Sequence, residues 1–341
     1  MGVYDIDGTV LTTIYEVDGT GTSTAYDVDG EQVLSSTKYS IGNIVSYYQN
    51  STLSIADEIN ALTNAWINII FITDPHGNAN EQHSQAIALY LLDNTKAFCI
   101  LLGGDYSYQN WDEEQYDDYM SPFLSSGLTR DIYALFGNHE RHGGQEATAK
   151  QCIYTDFLSD KTNISGSPQE NYYYFDNTAR KIRFMFLNTS DGSSGKYYVS
   201  NTQLAWIRQS VSLPDSTWSL VVFGHVSLYA MGGVTYENEA NGTDVITAIQ
   251  GCNGTVIGYF CGHQHIDLCE KQGNMQHTTF LCDKLDTNNY YPGLSVMGRE
   301  SGTTSEQAVS VISINTSLRS VVVRRIGAGI SEILEDMNYT Y

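Results

Sequence analysis

The 341-residue sequence predicts an α/β fold with a small β appendage at its N-terminus. From about residue 65 onward, short apolar runs alternate with stretches that can form helices, which is typical of α/β domains. The first 35 residues instead alternate polar and apolar side chains between Asp-Gly pairs, as short strands joined by turns do. A chain of this length has room for one large core and a small additional module.

The appendage contains three copies of a five-residue motif. YDIDG, YEVDG and YDVDG follow one another at intervals of eleven residues, beginning at Tyr4, Tyr15 and Tyr26. Acids beside glycine suggest calcium, but an EF-hand register would place the first ligand on an apolar side chain such as Val3. We therefore predict that the acids form turns in a β-meander over residues 1–35 and that this meander mediates docking or oligomerisation.

A connecting segment over residues 36–64 is predicted to be partly helical, around SIADEINALTNAW. The α/β domain is predicted over residues 65–341, with six apolar strands in order: WINIIFIT (66–73), AFCILLGG (97–104), RDIYALFG (130–137), KIRFMFLN (181–188), WSLVVFGH (218–225) and TVIGYFCGH (255–263). Helices are expected at EQHSQAIALYLLDN (81–94) and NTQLAWIRQSV (201–211). The run at 308–327 predicts a hairpin that turns near residues 315–317.

The charge of the chain excludes one class of partner. Its 39 acids and 17 bases give a formal charge of −22, which repels phosphate polymers, so we expect no binding to nucleic-acid duplexes. The opening MGVYDIDGTV lacks the basic and apolar regions of a signal peptide, and no apolar run is long enough to span a bilayer. We expect a soluble protein that is cytoplasmic or associated with a phage or virion.

Metal-ligating side chains follow five of the predicted strands, at the point where each strand ends. The loops read DPHG, DYSY, NHE, HVSLY and HQH, and they contain five of the eight histidines. Ligands bind beyond the carboxyl ends of strands in α/β sheets, so these side chains are expected to meet. Imidazole and carboxylate bind divalent transition metals, and six or more converging ligands indicate two ions.

In this order, DPHG, GGDY, GNHE, GH and GHQH resemble the five signature blocks of the calcineurin-like metallophosphoesterases, over about residues 65–330. The resemblance implies a two-sheet α/β sandwich with a dinuclear metal centre at one edge. It implies one ion held by Asp74, His76, Asp105 and His265. It implies a second ion held by Asp105, Asn138, His225 and His263, with Asp105 bridging the two.

The resemblance also implies an activity, the metal-dependent hydrolysis of phosphoric esters. Two divalent or mixed-valence ions (Mn, Fe, Zn or Mg) would supply a bridging hydroxide that attacks a small phosphomonoester or phosphodiester. His139 would hydrogen-bond the phosphoryl group or protonate the leaving oxygen. Glu140 would orient the imidazole of His139.

Several residues near these motifs have two interpretations. GGDYSY also fits the purple acid phosphatase branch, in which a tyrosine binds iron, but that branch lacks a histidine in the first block. We therefore expect His76 to be the ligand and Tyr108 to line the pocket. Arg141, His142 and Tyr229 are candidates for substrate contact, or they belong to solvated or packing positions. Aromatic side chains of two loops are expected either to wall the pocket or to pack: Trp111, Tyr116, Tyr119, Tyr229 and Tyr236.

A second function class stays open at this point. The YDxDG repeats resemble those that head some phage-tail and cell-surface proteins of Gram-positive bacteria, so the phosphoesterase-like domain of an assembly or binding protein could mainly recognise ligand. A domain that had lost catalysis would tolerate losses at the metal positions. Every metal position is present here, which favours the enzyme.

Overall fold

The computed structural model describes residues 39–77, 82–191, 197–233, 240–285 and 298–341, together with four short strands near the N-terminus. These strands are β1 (Val3–Tyr4), β2 (Val10–Leu11), β3 (Ala25–Tyr26) and β4 (Gln32–Leu34). β1 pairs antiparallel with β2, and β3 pairs antiparallel with β4. The acids of the YDxDG repeats lie outside the described residues, so the role of this segment stays a prediction.

Strands and helices then alternate along the chain. The strands are β5 (Trp66–Ile72), β6 (Ala97–Leu102), β7 (Ile132–Ala134), β8 (Ser165–Ser167), β9 (Tyr172–Asn177), β10 (Ile182–Leu187), β11 (Ser219–Gly224), β12 (Thr255–Cys261), β13 (Leu268–Gln272), β14 (Met275–Thr279), β15 (Ala308–Asn315), β16 (Ser320–Gly327) and β17 (Tyr339–Thr340). The α-helices are α1 (Ser46–Ala61), α2 (Gln82–Asn94), α3 (Glu113–Leu124), α4 (Glu146–Ile153), α5 (Asn201–Ser210), α6 (Gly242–Gln250) and α7 (Ser331–Asp336).

These strands form two mixed sheets in the described part of the chain. One has the order β17-β16-β15-β5-β6-β7, and the other has the order β13-β14-β12-β11-β10-β9-β8. β5, β6 and β7 are parallel, as are β10, β11 and β12. Each parallel set therefore directs the loops that follow its strands toward one edge of its sheet.

The two sheets pack face to face around a shared apolar core. The rings of Phe98 on β6 and Phe184 on β10 lie 5.6 Å apart, and those of Tyr133 on β7 and Phe175 on β9 lie 4.6 Å apart. Helices cover both outer faces, which explains why central strands such as β5 and β11 are buried along nearly their whole length and are mostly apolar. This arrangement is the two-sheet α/β sandwich that the resemblance implies.

The six predicted strands and the C-terminal hairpin are confirmed, with boundaries that shift by at most three residues. Strands β8, β9, β13 and β14 were not predicted. Helix α1 begins at Ser46, earlier than expected, and its Tyr48 and Ile59 are buried in the shared core. The proposed division into three regions stays a prediction. Among the described residues, no helix has the length and apolar character needed to cross a membrane.

Candidate metal centre

The loops that follow β5, β6, β7, β11 and β12 meet at one edge of the sandwich. They bring together all of the predicted ligands and the two residues after Asn138: Asp74, His76, Asp105, Asn138, His139, Glu140, His225, His263 and His265. Both aspartates and His225 are almost completely buried, while His139 and His265 keep about a fifth of their side chains exposed. A small opening to solvent therefore remains on one side of the cluster.

Most of these residues have an unusual backbone conformation. Positive φ angles between 55° and 69° occur at Asp74, His76, Asp105, His263 and His265. Non-glycine residues seldom adopt this region, and such strain persists only where surrounding contacts impose it. Here the amide of Asp74 donates to the carbonyl of Gly104 at 3.1 Å, and the amide of His76 donates to the carbonyl of Asp105 at 3.0 Å.

The glycines that precede two of the motifs allow a close approach of neighbouring chain segments. A Cβ atom at Gly137, before Asn138, would collide with the carboxylate of Asp105. A Cβ atom at Gly262, before His263, would collide with the side chains of Thr73 and Asp74. The glycines of GNHE and GHQH are therefore required by the packing of the loops.

One group of potential ligands surrounds Asp74. Nε2 of His265 lies 3.4 Å from Oδ1 of Asp74, and Nε2 of His76 lies 3.8 Å from the same oxygen. The two imidazoles face each other, with their Nε2 atoms 3.1 Å apart. One potential ligand atom from each residue lies within 4.8 Å of the others, a spacing that suits a single cation.

A second group surrounds His225. Its Nε2 atom lies 3.1 Å from Oδ2 of Asp105 and 3.1 Å from Oδ1 of Asn138. Asp105, His225 and His263 again offer ligand atoms within 4.8 Å of one another. Oδ2 of Asp105 also lies 4.0 Å from Nε2 of His76, so this carboxylate joins the second group to the first.

A family model described as calcineurin-like phosphoesterase matches residues 67–267, more than half of the chain. The chain belongs to this family. Two solved structures are similar in fold. A dimetal phosphatase from Danio rerio shares 15% identity over 76% of this chain and 96% of its own, with a TM-score of 0.51. GAP50, the anchor in the inner membrane complex of Plasmodium, shares 13% identity over 81% of this chain and 88% of its own, with a TM-score of 0.54.

No curated protein matches this sequence. Family membership nevertheless makes the chain a metal-dependent phosphoesterase enzyme of the calcineurin-like type. The residues that the resemblance identified are the ones that the fold brings to one edge.

Protonation states at the centre suit metal ligation. Burial and the neighbouring His265 lower the pKa of His76 to about 3, so its imidazole is neutral at pH 7. Burial alone would lower the pKa of His225, but the carboxylates of Asp105 and Asp74 outweigh it and raise the pKa to about 9. The proton on His225 therefore provides positive charge between two ionised carboxylates, where a cation would replace it.

Hydrogen bonds from neighbouring groups fix the orientation of the ligands. Nδ1 of His225 donates to the carbonyl of Gly103 at 2.7 Å, which turns Nε2 toward the centre. The hydroxyl of Thr73 donates to Oδ2 of Asp74 at 2.6 Å. The amide of His139 donates to Oδ1 of Asp105 at 2.9 Å. The donor set and its supporting contacts fit divalent cations in this phosphoesterase.

Glu140 makes a different contact from the one expected. Its carboxylate accepts backbone N–H bonds from Asp105, Tyr106 and Gly137 at 2.7–2.8 Å, and no described contact joins it to the ring of His139. Burial and the charge of Asp105 raise the pKa of Glu140 to about 7, although its N–H donors act in the opposite direction. The expectation that Glu140 orients His139 was wrong, because the carboxylate instead ties the loop after β6 to the loop after β7.

Two of the other candidates lie beside the centre. Tyr108 is 49% exposed, and its ring lies 4.4 Å from Nζ of Lys284. The ring of His142 lies 5.6 Å from that of His139, and its Nδ1 atom lies 3.1 Å from the carbonyl oxygen of Gln109. These positions leave both residues at the solvent-facing side of the cluster.

The remaining candidates differ in their position. Arg141 follows Glu140 and approaches Glu146 at 3.9 Å, on the wall of a groove of about 560 Å³. Tyr229 has no described contact with the cluster; its hydroxyl donates to Glu270 at 3.2 Å and its ring packs on His277. The pocket-wall interpretation is wrong for three residues that are buried in the shared core: Trp111, Tyr116 and Tyr119. Tyr236 lies outside the described residues.

Proposed function

We propose that this phosphoesterase holds two cations in a site whose shared ligand is Asp105. One cation would be bound by Asp74, His76, Asp105 and His265, and the other by Asp105, Asn138, His225 and His263. The observation that carries the proposal is the approach of Asp105 to both His76 and His225. When bound, the cations supply Lewis acidity that activates water and withdraws charge from phosphoryl oxygens.

The protein residues give this site its orientation and charge. Hydrogen bonds to Asp74 and Asp105 hold both carboxylates in one position, and the neighbouring histidines keep the pKa of each below its usual range despite burial. His76 rather than Tyr108 is the proposed ligand, because the Tyr108 ring contacts Lys284 and has no described contact with the cluster. The two ionised carboxylates are therefore available to hold the cations at the place where a phosphoryl group would bind.

His139 is the proposed residue for transition-state contact. Its Nε2 atom lies 3.7 Å from Asp105, and its Nδ1 atom is buried without a hydrogen-bond partner. Burial lowers the pKa of His139, so the ring is neutral near pH 7 and carries one N–H that can be donated. We assign it to hydrogen-bonding of a phosphoryl oxygen; the alternative, protonation of the leaving oxygen, requires the imidazole to take up a proton first in the substrate complex.

The proposed reaction is the hydrolysis of a small phosphomonoester or phosphodiester by an activated water. It is tested by purifying the protein, loading it separately with manganese, zinc, iron or magnesium, and measuring hydrolysis of p-nitrophenyl phosphate and its bis ester. We expect turnover in the wild type and in His83→Ala, since His83 packs against Tyr47 outside the centre. We expect none in an Asp105→Asn, His139→Ala double variant. Equal rates in the wild type and the double variant would refute the proposal.

A further inference from the structure

The segment that contains Asp283 and Lys284 lies against the loop after β5, which carries Asp74 and His76 and is called the first metal loop below. The amide of Asp283 donates to the carbonyl of Thr73 at 2.8 Å, and the amide of Lys284 donates to the carbonyl of Asp74 at 3.2 Å. On the opposite side, the same metal loop is bonded to the loop after β6, through the amides of Asp74 and His76. The main chain of Lys284 is therefore hydrogen-bonded directly to the main chain of Asp74, a proposed metal ligand.

The side chain of Lys284 reaches across to the other flanking loop. Its ammonium lies 4.4 Å from the centre of the Tyr108 ring, a cation–π contact. The amide of Tyr108 donates to Oε1 of Gln115 at 2.9 Å, which anchors the tyrosine to α3. The Lys284–Tyr108 contact thus bridges the two loops that border Asp74 and His76, and half of the tyrosine is exposed to solvent.

The charge of Lys284 has no carboxylate partner among the residues that the structure describes. Most described lysines lack an ion pair, but Lys96, Lys161 and Lys181 instead donate hydrogen bonds to uncharged oxygens. Lys150, for comparison, contacts three carboxylates, and Arg325 pairs with Asp267. The carboxylate of the adjacent Asp283 is buried, where it accepts bonds from Ser84 and the amide of Ala308.

We propose that Lys284 is a specificity residue that favours phosphomonoester dianions over phosphodiester monoanions. A monoester carries close to two negative charges above pH 7, whereas a diester carries one. An ammonium beside the metal loop attracts the additional charge, and Tyr108 holds that ammonium in place. The inference rests on the proposed function, because it concerns the substrate class of the same site.

The test compares two substrates with the same leaving group, p-nitrophenyl phosphate and methyl p-nitrophenyl phosphate, at pH 8. For Lys284→Gln we expect the ratio of kcat/KM for monoester over diester to fall about fivefold, mainly through a higher KM for the monoester. Lys284→Arg should keep the ratio. Lys271→Gln is the matched control, since Lys271 is an exposed lysine on β13 and its loss removes the same charge. Added salt should reduce the difference.

An unchanged ratio in Lys284→Gln, or an equal change in Lys271→Gln, would overturn the inference and leave the proposed function standing. Failure of the wild type to hydrolyse either ester with any metal would contradict the proposed function. In that case calorimetry with inorganic phosphate still tests the lysine. We expect about fivefold weaker binding to Lys284→Gln than to Lys271→Gln, and equal binding would refute the inference.

Discussion

Asp267 and Arg325 form a buried ion pair that joins the two sheets beside the metal centre. Nη1 of Arg325 donates to Oδ2 of Asp267 at 3.0 Å, Nη2 donates to Oδ1, and both side chains are at most 2% exposed. Asp267 follows His265 by two residues on the loop after β12, whereas Arg325 belongs to β16 of the other sheet. The pair therefore holds a proposed ligand loop against the opposite sheet.

Removing one partner of this pair should lower the stability of the folded protein. Asp267→Asn removes the carboxylate that pairs with the buried guanidinium and leaves it bonded only to uncharged groups, the Ser310 hydroxyl and the Ala328 carbonyl, among the described residues, so we expect a loss of about 3–5 kcal/mol in the free energy of unfolding. We also expect weaker binding of the cation near His265. Glu58→Gln is the control, because the Glu58 side chain that pairs with Arg324 is half exposed, and its loss should cost about 0–1 kcal/mol. Urea unfolding and metal titration measure both effects, and equal losses in the two variants would refute this role.

Glu140→Gln should lower the metal affinity of the protein more than it lowers kcat of the metal-loaded enzyme. An amide side chain offers one acceptor oxygen in place of the two that accept bonds from Asp105, Tyr106 and Gly137. We expect a loss of about 1–3 kcal/mol in unfolding free energy and lower metal affinity. Activity should recover partly at high metal concentration. If kcat falls at full metal occupancy while affinity is unchanged, Glu140 acts in the reaction itself.

His139→Ala should show the opposite pattern. The imidazole of His139 is not among the proposed ligands, so the variant should keep its metal content. Loss of a proton donor or phosphoryl contact should lower kcat by about 10²–10⁴-fold. Steady-state kinetics and elemental analysis of one preparation separate the two effects. A variant that loses metal in proportion to activity would place His139 among the ligands.

Metal binding should release a proton from His225. In the metal-free protein its pKa is about 9, above the ordinary value of 6.5 for a histidine in an unfolded chain, so its stabilising effect is complete below about pH 6.5. That stabilisation is lost as the pH rises through 9, and metal affinity should increase over the same interval. Calorimetry at pH 7.5 in two buffers of different ionisation enthalpy should detect about one proton released. Asp244→Asn, on the surface of α6, should behave as the wild type, and no release would contradict the assignment.

The positions of the metal-binding motifs could be predicted from sequence because chain order and strand direction decide which loops share an edge. Asp74, Asp105 and His225 each follow a buried apolar strand, and this pattern is local. The ion pair of Asp267 with Arg325 could not be predicted, since it depends on how β16 packs across the sandwich. The acceptor role of Glu140 likewise depends on contacts between separate loops.

The sequence could not decide between the two interpretations of the aromatic residues for a related reason. Trp111, Tyr116 and Tyr119 lie in a segment rich in polar residues. The sequence therefore does not reveal that the inner face of α3 buries Tyr116 and Tyr119, or that Trp111, just before the helix, packs on Tyr116. Composition gives the number of aromatic side chains. Whether one of them faces the core or the solvent depends on how its segment packs on the rest of the fold. The positive φ angles at Asp74 and His76 are likewise invisible in the sequence, because these residues adopt that conformation only under tertiary contacts.

The sharing of Asp105 between two ligand groups is tested most directly by metal content after exhaustive dialysis. We predict two equivalents per chain for the wild type and for His83→Ala. His265→Ala should retain about one equivalent, His225→Ala about one, and Asp105→Asn fewer than either, because only Asp105 belongs to both groups. One equivalent in the wild type, or two in Asp105→Asn, would contradict the proposed dinuclear centre.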